Sequence, residues 1–499
     1  MLVTSNITTD VIIAISTIAI IIYFYVKHQY SYWKRLGVPQ LKPTFPLGNY
    51  PFTLPKGLQI GAYTRRYYEA FKKLGAPYGG VYIGLTPTLV ITDADVAKTI
   101  LVNDFNNFTD RNMYSSKHQP VSVNLLSQTG KEWKAARAKF TSLFTTAKLR
   151  SFINFAATCK QDLVAYLDEF ADGKKDVAIR RVTGLYVADV TTMILFGFHA
   201  HNFKSENKEI NSFGRAVFES FTPLYQLKLL LTHCYPKLAR FLGVGNVNKE
   251  VEDFGNVYIP NAVEYRIKNN IRGIDFLQLL IDAKKAGVEL TMDEMVSQSF
   301  IFAAGGLETS ASTSMVMLYE LAKHKECQTK VREEIYRIRE KYEGKTTYDS
   351  LMEHTYLQQV LNEVLRIYPF VTNLYRICVQ DYNIPGRDLV IEKGTPLLIP
   401  LVGFHRDPDY FPEPLKFDPS RFDDKNDKQK GYLPFGAGPR NCVAARLGMI
   451  QSNLTVVAVI ENYEISLSPK TPDTLEMCEN SFTLSFKNEI FLNFKKIQN

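Results

Sequence analysis

Phe435-Gly436-Ala437-Gly438-Pro439-Arg440-Asn441-Cys442-Val443-Ala444 is the stretch from which this chain is best read. One cysteine stands behind a glycine-rich loop that carries an arginine, just ahead of a helical pattern over Ala445 to Val459. A thiolate is both a strong metal ligand and an electron donor to the metal it binds. Held by a tight loop at a helix N-terminus, it is favoured as the anion. Gly436 and Gly438 let the backbone turn sharply and aim N–H groups at the sulfur. Arg440 can reach an acidic group on a planar cofactor. Together these features are the wiring of a haem iron with a cysteine axial ligand.

The rest of the chain sets bounds on that reading. Its 499 residues correspond, on length alone, to about three domains of ~150 residues. Hydrophobic residues make up 45% and charged residues 22%, ordinary for a globular enzyme. The other cysteines, Cys159, Cys234, Cys327, Cys378 and Cys478, form no CxxC pair and no zinc-like cluster, so they read as reduced thiols. The net charge of +8 suits nucleic acid, an anionic membrane or an acidic protein partner. No basic–aromatic recognition motif is present, so nucleic acid is set aside and the other two lead.

Val11 to Val26 carries no charge. Its sixteen residues span about 24 Å as helix, short of a ~30 Å hydrocarbon core, and Ile7 to Asp10 close the gap. No Lys or Arg precedes the run, whereas Lys27, Lys34, Arg35 and Lys42 follow it. This argues against a cleaved signal and places the body on the cytosolic side. Pro39, Pro43 and Pro46 then interrupt helix and predict a stiff hinge. The expected organisation is a membrane anchor over 1–28, a basic, proline-rich hinge over 29–50 and one catalytic domain over 51–499. The body reads as mainly α with small β-sheets. An early hairpin is expected at Val81-Tyr82-Ile83 and Thr88-Leu89-Val90-Ile91.

Four further motifs stand out. Trp133 and Arg137, four apart, share a helix face and offer two donors to one carboxylate. Thr291 and Glu294 form a capping box at the start of the clearest helix, which runs to Lys325. Within it, Gly305 and Gly306 each cost about 1 kcal/mol relative to alanine, so something must approach that backbone or the helix must open. Thr309 then places a hydroxyl beside a bound ligand, with Glu308 behind it as a proton source. Glu363 and Arg366 lie one turn apart on a helix that ends at Pro369.

The ten-residue stretch resembles the haem-binding signature of the cytochrome P-450 monooxygenases, Phe-Gly-x-Gly-x-Arg-x-Cys-x-Gly. Ala444 replaces the last glycine. Ala304 to Thr309 resembles the family's oxygen-activating segment. Phe417-Asp418-Pro419-Ser420-Arg421-Phe422 resembles the segment whose arginine completes a buried Glu–Arg–Arg triad, here Glu363, Arg366 and Arg421. The resemblance covers essentially the whole chain, and the segments around Asp110-Arg111, Trp133 to Phe144 and Leu433 to Gln451 are most similar to arthropod detoxification-type microsomal members.

The resemblance implies the P-450 fold with an N-terminal transmembrane helix and haem b ligated by Cys442. Phe435 is then in the cofactor site, and Trp133, Arg137, Arg376 and Arg440 bind the propionates. His405 is implied to be structural. Substrate-contact segments are implied at Arg111 to Leu126, Pro223 to Leu231, Phe302 to Thr309, Val371 to Leu374 and Ser481 to Leu484, with Leu229-Leu230-Leu231 reaching the membrane surface. The implied activity inserts one oxygen atom from O2 into an apolar small molecule. No flavin or nicotinamide motif is present, so NADPH acts through a reductase, with a cytochrome b-type protein as a second donor. Lys131, Lys134, Lys139, Lys428 and Lys430 are candidates for the docking face, and the location is the endoplasmic reticulum membrane. The alternatives are a haem-thiolate isomerase or dehydratase, and a non-catalytic haem sensor. The natural substrate is not written in these motifs.

Overall fold

A computed structural model describes residues 7–53, 57–58, 63–116, 118–205, 223–423, 430–478 and 483–497. Helix α1 runs Ile7–Gln29. Its apolar part, Thr8–Gln29, has 22 residues, none buried against the rest of the chain. At 1.5 Å per residue it is about 33 Å long, sufficient to cross a bilayer.

The segment expected to be a hinge is stitched to the body. Trp33 is buried and donates its indole N–H to Val81 O at 3.1 Å. Gly80 donates to Pro39 O at 2.7 Å, and Leu41 N–H returns to Gly80 O at 3.0 Å. Gly80 is where the backbone needs a missing side chain, because an added Cβ would lie 2.2 Å from Trp33 Cγ.

The hairpin extends beyond its expected limits, as β1 (Tyr78–Ile83) and β2 (Thr86–Ile91), paired antiparallel with Val81 opposite Thr88. Two distant segments complete the sheet, β3 (Asn373–Ile377) and β4 (Pro396–Pro400). The order is β1-β2-β4-β3, with β2 and β4 parallel and β3 antiparallel to β4, so that Arg376 faces Leu397. A second sheet pairs Tyr463–Leu467 with Phe491–Lys496, and Val177–Ala178 joins its edge.

The helices that matter for the site are α2 (Gly130–Thr141), α3 (Lys160–Asp168), α4 (Ile179–Phe196), α5 (Met292–Lys323), α6 (Thr355–Ile367) and α7 (Ala445–Ile460). The capping box forms: Glu294 N–H donates to Thr291 Oγ1 at 3.1 Å and Thr291 N–H to Glu294 Oε2 at 2.9 Å. From there α5 runs unbroken for 32 residues through the middle of the fold, so its two glycines do not open it. It packs on α4, α6 and α7 around a core that includes Tyr186, Val190, Leu318, Leu361, Val364, Leu454 and Val456. α7 is apolar and buried through most of its length, as befits a central helix rather than a surface one. The architecture is mainly helical with small sheets, as the sequence predicts.

Candidate active site

The loop ahead of α7 is fixed from several sides. His405 Nε2 accepts from Leu433 N–H at 2.9 Å, and Gly436 N–H donates to Leu433 O at 3.0 Å. Asn441 N–H then donates to Gly438 O at 3.0 Å and Cys442 N–H to Phe435 O at 2.9 Å. His405 is fully buried, and burial pushes its imidazole down to about 3, so it stays neutral and serves as an acceptor. Gly438 has φ +69°, and a Cβ on it would lie 1.8 Å from Leu101 O.

The N–H that lowers the sulfur's proton affinity comes from Ala444, not from the glycines. Ala444 is the N-cap of α7 with φ −98°, a conformation open to any residue, so alanine in the signature's glycine position is unstrained. Cys442 is not poised as a free anion, as the loop alone suggested. Burial raises its thiol, and Ala444 N–H, Arg111 and Arg137 only partly oppose that. Even so, Cys442 keeps more than a third of its surface uncovered. A thiol surrounded by protein mass yet uncovered faces an internal concavity, and a metal bound there would hold it as the thiolate.

Four guanidinium groups gather around Cys442. Arg440 is buried, donates to Leu126 O and Gln128 O, and stacks on Trp133 at 4.4 Å from the ring centre. Arg376, on β3, is 1% exposed and donates Nη1 to its neighbour Tyr375 O at 2.8 Å. Its Nε and Nη2, like Arg440 Nε, are buried with no partner. Arg111 donates to Arg440 O at 2.7 Å. Arg137 and Trp133 do share a face of α2, but Arg137 spends its fork on Asn441 O (2.8 Å) and Oδ1 (2.7 Å) rather than beside the indole.

Burial first, then mutual repulsion, pulls Arg376 and Arg440 down to about 9. Burial does the same to Arg111, to about 10, although part of its surface stays open, as at Cys442. Asp110 is a carboxylate that counts against this charge, at Arg440. Buried cations with donors unspent and too few anions make a receptor for a dianion. The two carboxylates of iron protoporphyrin IX, with the iron on Cys442, fit that donor set.

On α5, Gly305 is uncovered although Ala303, Ala304, Leu307 and Ser310 around it are buried. A Cβ there meets nothing within 4 Å, so the glycine borders open space inside the fold. Thr309 Oγ1 donates to Gly305 O at 2.6 Å, so its proton is directed along the helix and its lone pairs remain available. Glu308 turns the other way. Ser312 Oγ donates to its Oε1 at 3.1 Å and Arg180 Nη2 lies 3.5 Å from the same oxygen. Arg180 and Ser312 both line a recess of about 170 Å³ bounded by Ser485 to Ile490.

Glu363, Arg366 and Arg421 do come together. Arg366 makes a two-pronged pair with Glu363, at 2.7 and 2.8 Å, with both side chains fully buried. Arg421 Nε lies 3.5 Å from Glu363 Oε1, which also accepts from Asp418 N–H at 2.9 Å. The remaining Arg366 donors reach the carbonyls of His405, Pro414 and Lys416. This complete pairing is what lets charge sit at zero exposure.

The Cytochrome P450 family model matches residues 45–492. The chain is a cytochrome P450. Among curated relatives, Cytochrome P450 6k1 of Blattella germanica is 33% identical over 98% of this chain and 97% of its own length. Probable cytochrome P450 6a20 of Drosophila melanogaster is 34% identical over 95% and 97%, and Cytochrome P450 6A1 of Musca domestica 33% over 97% and 97%. The P450 is thus a monooxygenase with a cysteine-ligated haem that uses O2, similar to arthropod family 6 members.

Several residues of this P450's site escaped the sequence reading. The sequence places Arg111 in a segment similar to arthropod members and at the edge of a substrate segment, not among the carboxylate-binding arginines, and does not single out Arg180 and Ser312, the partners of Glu308. Of the docking lysines, Lys139 bonds Glu289 O and Lys430 pairs with Asp95, both at 2.7 Å, whereas Lys131 and Lys134 are exposed. Lys428 lies outside the described residues, as do Ser481 and Phe482. Leu229 and Leu230 pack on the cluster containing Tyr50 and Tyr67, and it is Leu224 and Leu227 that stand exposed.

Proposed function

We propose that this P450 is a single-pass protein of the endoplasmic reticulum membrane. It takes electrons from NADPH through a membrane-bound reductase, with a cytochrome b-type protein as a second donor. It inserts one oxygen atom into an apolar small molecule. The observation that carries the reading is the set of guanidinium groups with unspent donors around the one uncovered, deep-set thiol. The anchor is α1, and the catalytic domain lies on the cytosolic side because the basic residues follow the apolar run.

When bound at Cys442, haem b supplies the oxygen activation. The residues of the chain divide the remaining work. Arg376, Arg440 and Arg111, with Trp133, would hold the carboxylates of the haem, joined by Arg137 if its fork leaves Asn441, and Phe435 would stand in the same cofactor site. Gly305 keeps α5 thin where the bound group and O2 would need room, and Gly306 sits against Thr191 of α4. Thr309 turns its hydroxyl from Gly305 O to hand a proton into the concavity. Glu308 is the proton source on the other side of α5, where Arg180 and Ser312 connect it to the recess beside Ser485, and it serves Thr309 by swinging away from them. Glu363, Arg366 and Arg421 hold the segments behind the cysteine loop. A shallow cleft lined by Phe105, Trp133, Lys134, Arg137 and Pro439 is the docking face for the acidic surface of the electron donor.

Replacement of Cys442 by alanine in the reconstituted membrane protein tests the core of this reading. The reduced carbon monoxide complex is expected to lose its thiolate-specific band, and NADPH- and O2-dependent product formation to stop. A Cys442→Ala protein that keeps the band refutes the ligand assignment. Turnover that needs neither O2 nor reductase favours the isomerase or dehydratase alternative, and no turnover of any probe favours the sensor.

A further inference from the structure

α4 ends at Gly197, and the chain continues Phe198-His199-Ala200-His201-Asn202. His201 has φ +52°, the left-handed conformation that a non-glycine residue adopts only at a cost. That turn lays its ring on His199, with centroids 3.8 Å apart. It brings His201 Nδ1 to 2.6 Å from Asp162 Oδ2 on α3. His199 Nε2 lies 3.5 Å from the same oxygen and 3.6 Å from Asp189 Oδ2 on α4. His199 Nε2 is buried and has no hydrogen-bond partner. The donor atoms of Asp162, His199 and His201 all lie within 4.8 Å of one another.

We propose that Asp162, His199 and His201 bind one divalent cation of the Zn2+ class, with water in the fourth position and Asp189 behind His199. Two imidazoles with a carboxylate are the donor set for such an ion. A tetrahedral ion with bonds of about 2.0–2.1 Å needs ligand atoms about 3.3 Å apart. The 3.5 Å between His199 Nε2 and Asp162 Oδ2 already matches. The 2.6 Å hydrogen bond between His201 and Asp162 opens by under about 1 Å as the metal takes its place. His201 then carries its proton on Nε2, toward solvent, so a neutral ring needs no net proton loss.

Asp189, behind His199, is fully buried and accepts from Asn202 N–H and Nδ2, and among the described residues no lysine or arginine pairs with it. Lys204 occupies Asp162 Oδ1 at 2.9 Å and leaves Oδ2 for the metal. The ion ties α3 to the loop that follows α4, and the site stands whatever Cys442 binds.

The test uses the full-length, haem-loaded, tag-free protein, stripped with chelator and titrated with Zn2+ against a chromophoric competitor. One tight equivalent is expected, and Co2+ in its place should show an intense tetrahedral ligand-field band. His199→Gln and His201→Gln should each weaken Zn2+ binding by about ten-fold or more while the carbon monoxide spectrum persists. Lys204→Ala should bind at least as well as the wild type. In the unmutated protein, Zn2+ should protect both imidazoles from acylation. No stoichiometric equivalent, absence of protection, or histidine variants that bind like the wild type would overturn the site and leave a hydrogen-bonded His–Asp cluster.

Discussion

Arg376→Leu should make the haem-free protein no less stable while making the haem easier to lose. In the fold Arg376 is buried on β3 with Nε and Nη2 unpartnered. Its depression from 12.5 to about 9 amounts to about 5 kcal/mol against the charged form, at 1.36 kcal/mol for each tenfold in proton affinity. Leucine removes that cost and fills similar volume. What disappears is a charge-assisted contact to a carboxylate, worth about 1.5–3 kcal/mol, or roughly ten- to a hundred-fold in cofactor dissociation. Haem transfer from the holoprotein to excess apoglobin, followed in the Soret region, gives the rate. Thermal unfolding of the stripped proteins gives the other half. Arg376→Lys keeps the charge without the fork and should fall between. Haem loss at the wild-type rate, or a stripped variant melting below wild type, would refute the receptor argument.

Thr309→Ala should keep its carbon monoxide spectrum but divert NADPH from product to hydrogen peroxide, and Thr309→Ser should restore coupling; unchanged coupling with several substrates would make Thr309 a packing residue. Glu363→Gln leaves Arg366 buried without its counter-charge and should destabilise the fold by about 3–5 kcal/mol, measured by denaturant unfolding. The hydrogen bond that His324 donates to Glu320, outweighing burial, raises the imidazole above its ordinary pKa. Its stabilising contribution is therefore complete below about pH 6.5 and fades as pH rises through the raised value. His324→Gln should remove that step from the stability–pH profile.

What the sequence revealed was local. The cysteine loop, the Thr291 capping box and the Glu363–Arg366 spacing each depend on residues within a turn or two, and each forms as written. What it concealed depends on distant strands and helices. Arg111 joins the cluster only because β3 brings Arg376 beside a loop from the other half of the chain. Arg180 reaches Glu308 only because α4 lies along α5. The direction of the Thr309 hydroxyl is a choice between two partners that spacing cannot make. The thiol's proton affinity came out with the opposite sign because burial, invisible in the loop, outweighs the helix terminus.

Between Gln29, the last residue of α1, and buried Trp33 lie only Tyr30, Ser31 and Tyr32. Fully extended, that link reaches about 14 Å, and Tyr30 already donates its hydroxyl to Gly84 O at 3.3 Å. With α1 embedded, the body is mounted on a short mast, not trailed on a rope. It can drift and spin in the plane but cannot roll. A partner confined to the same bilayer thus meets one face at one height, and the orientational search that slows most protein encounters is largely completed during synthesis.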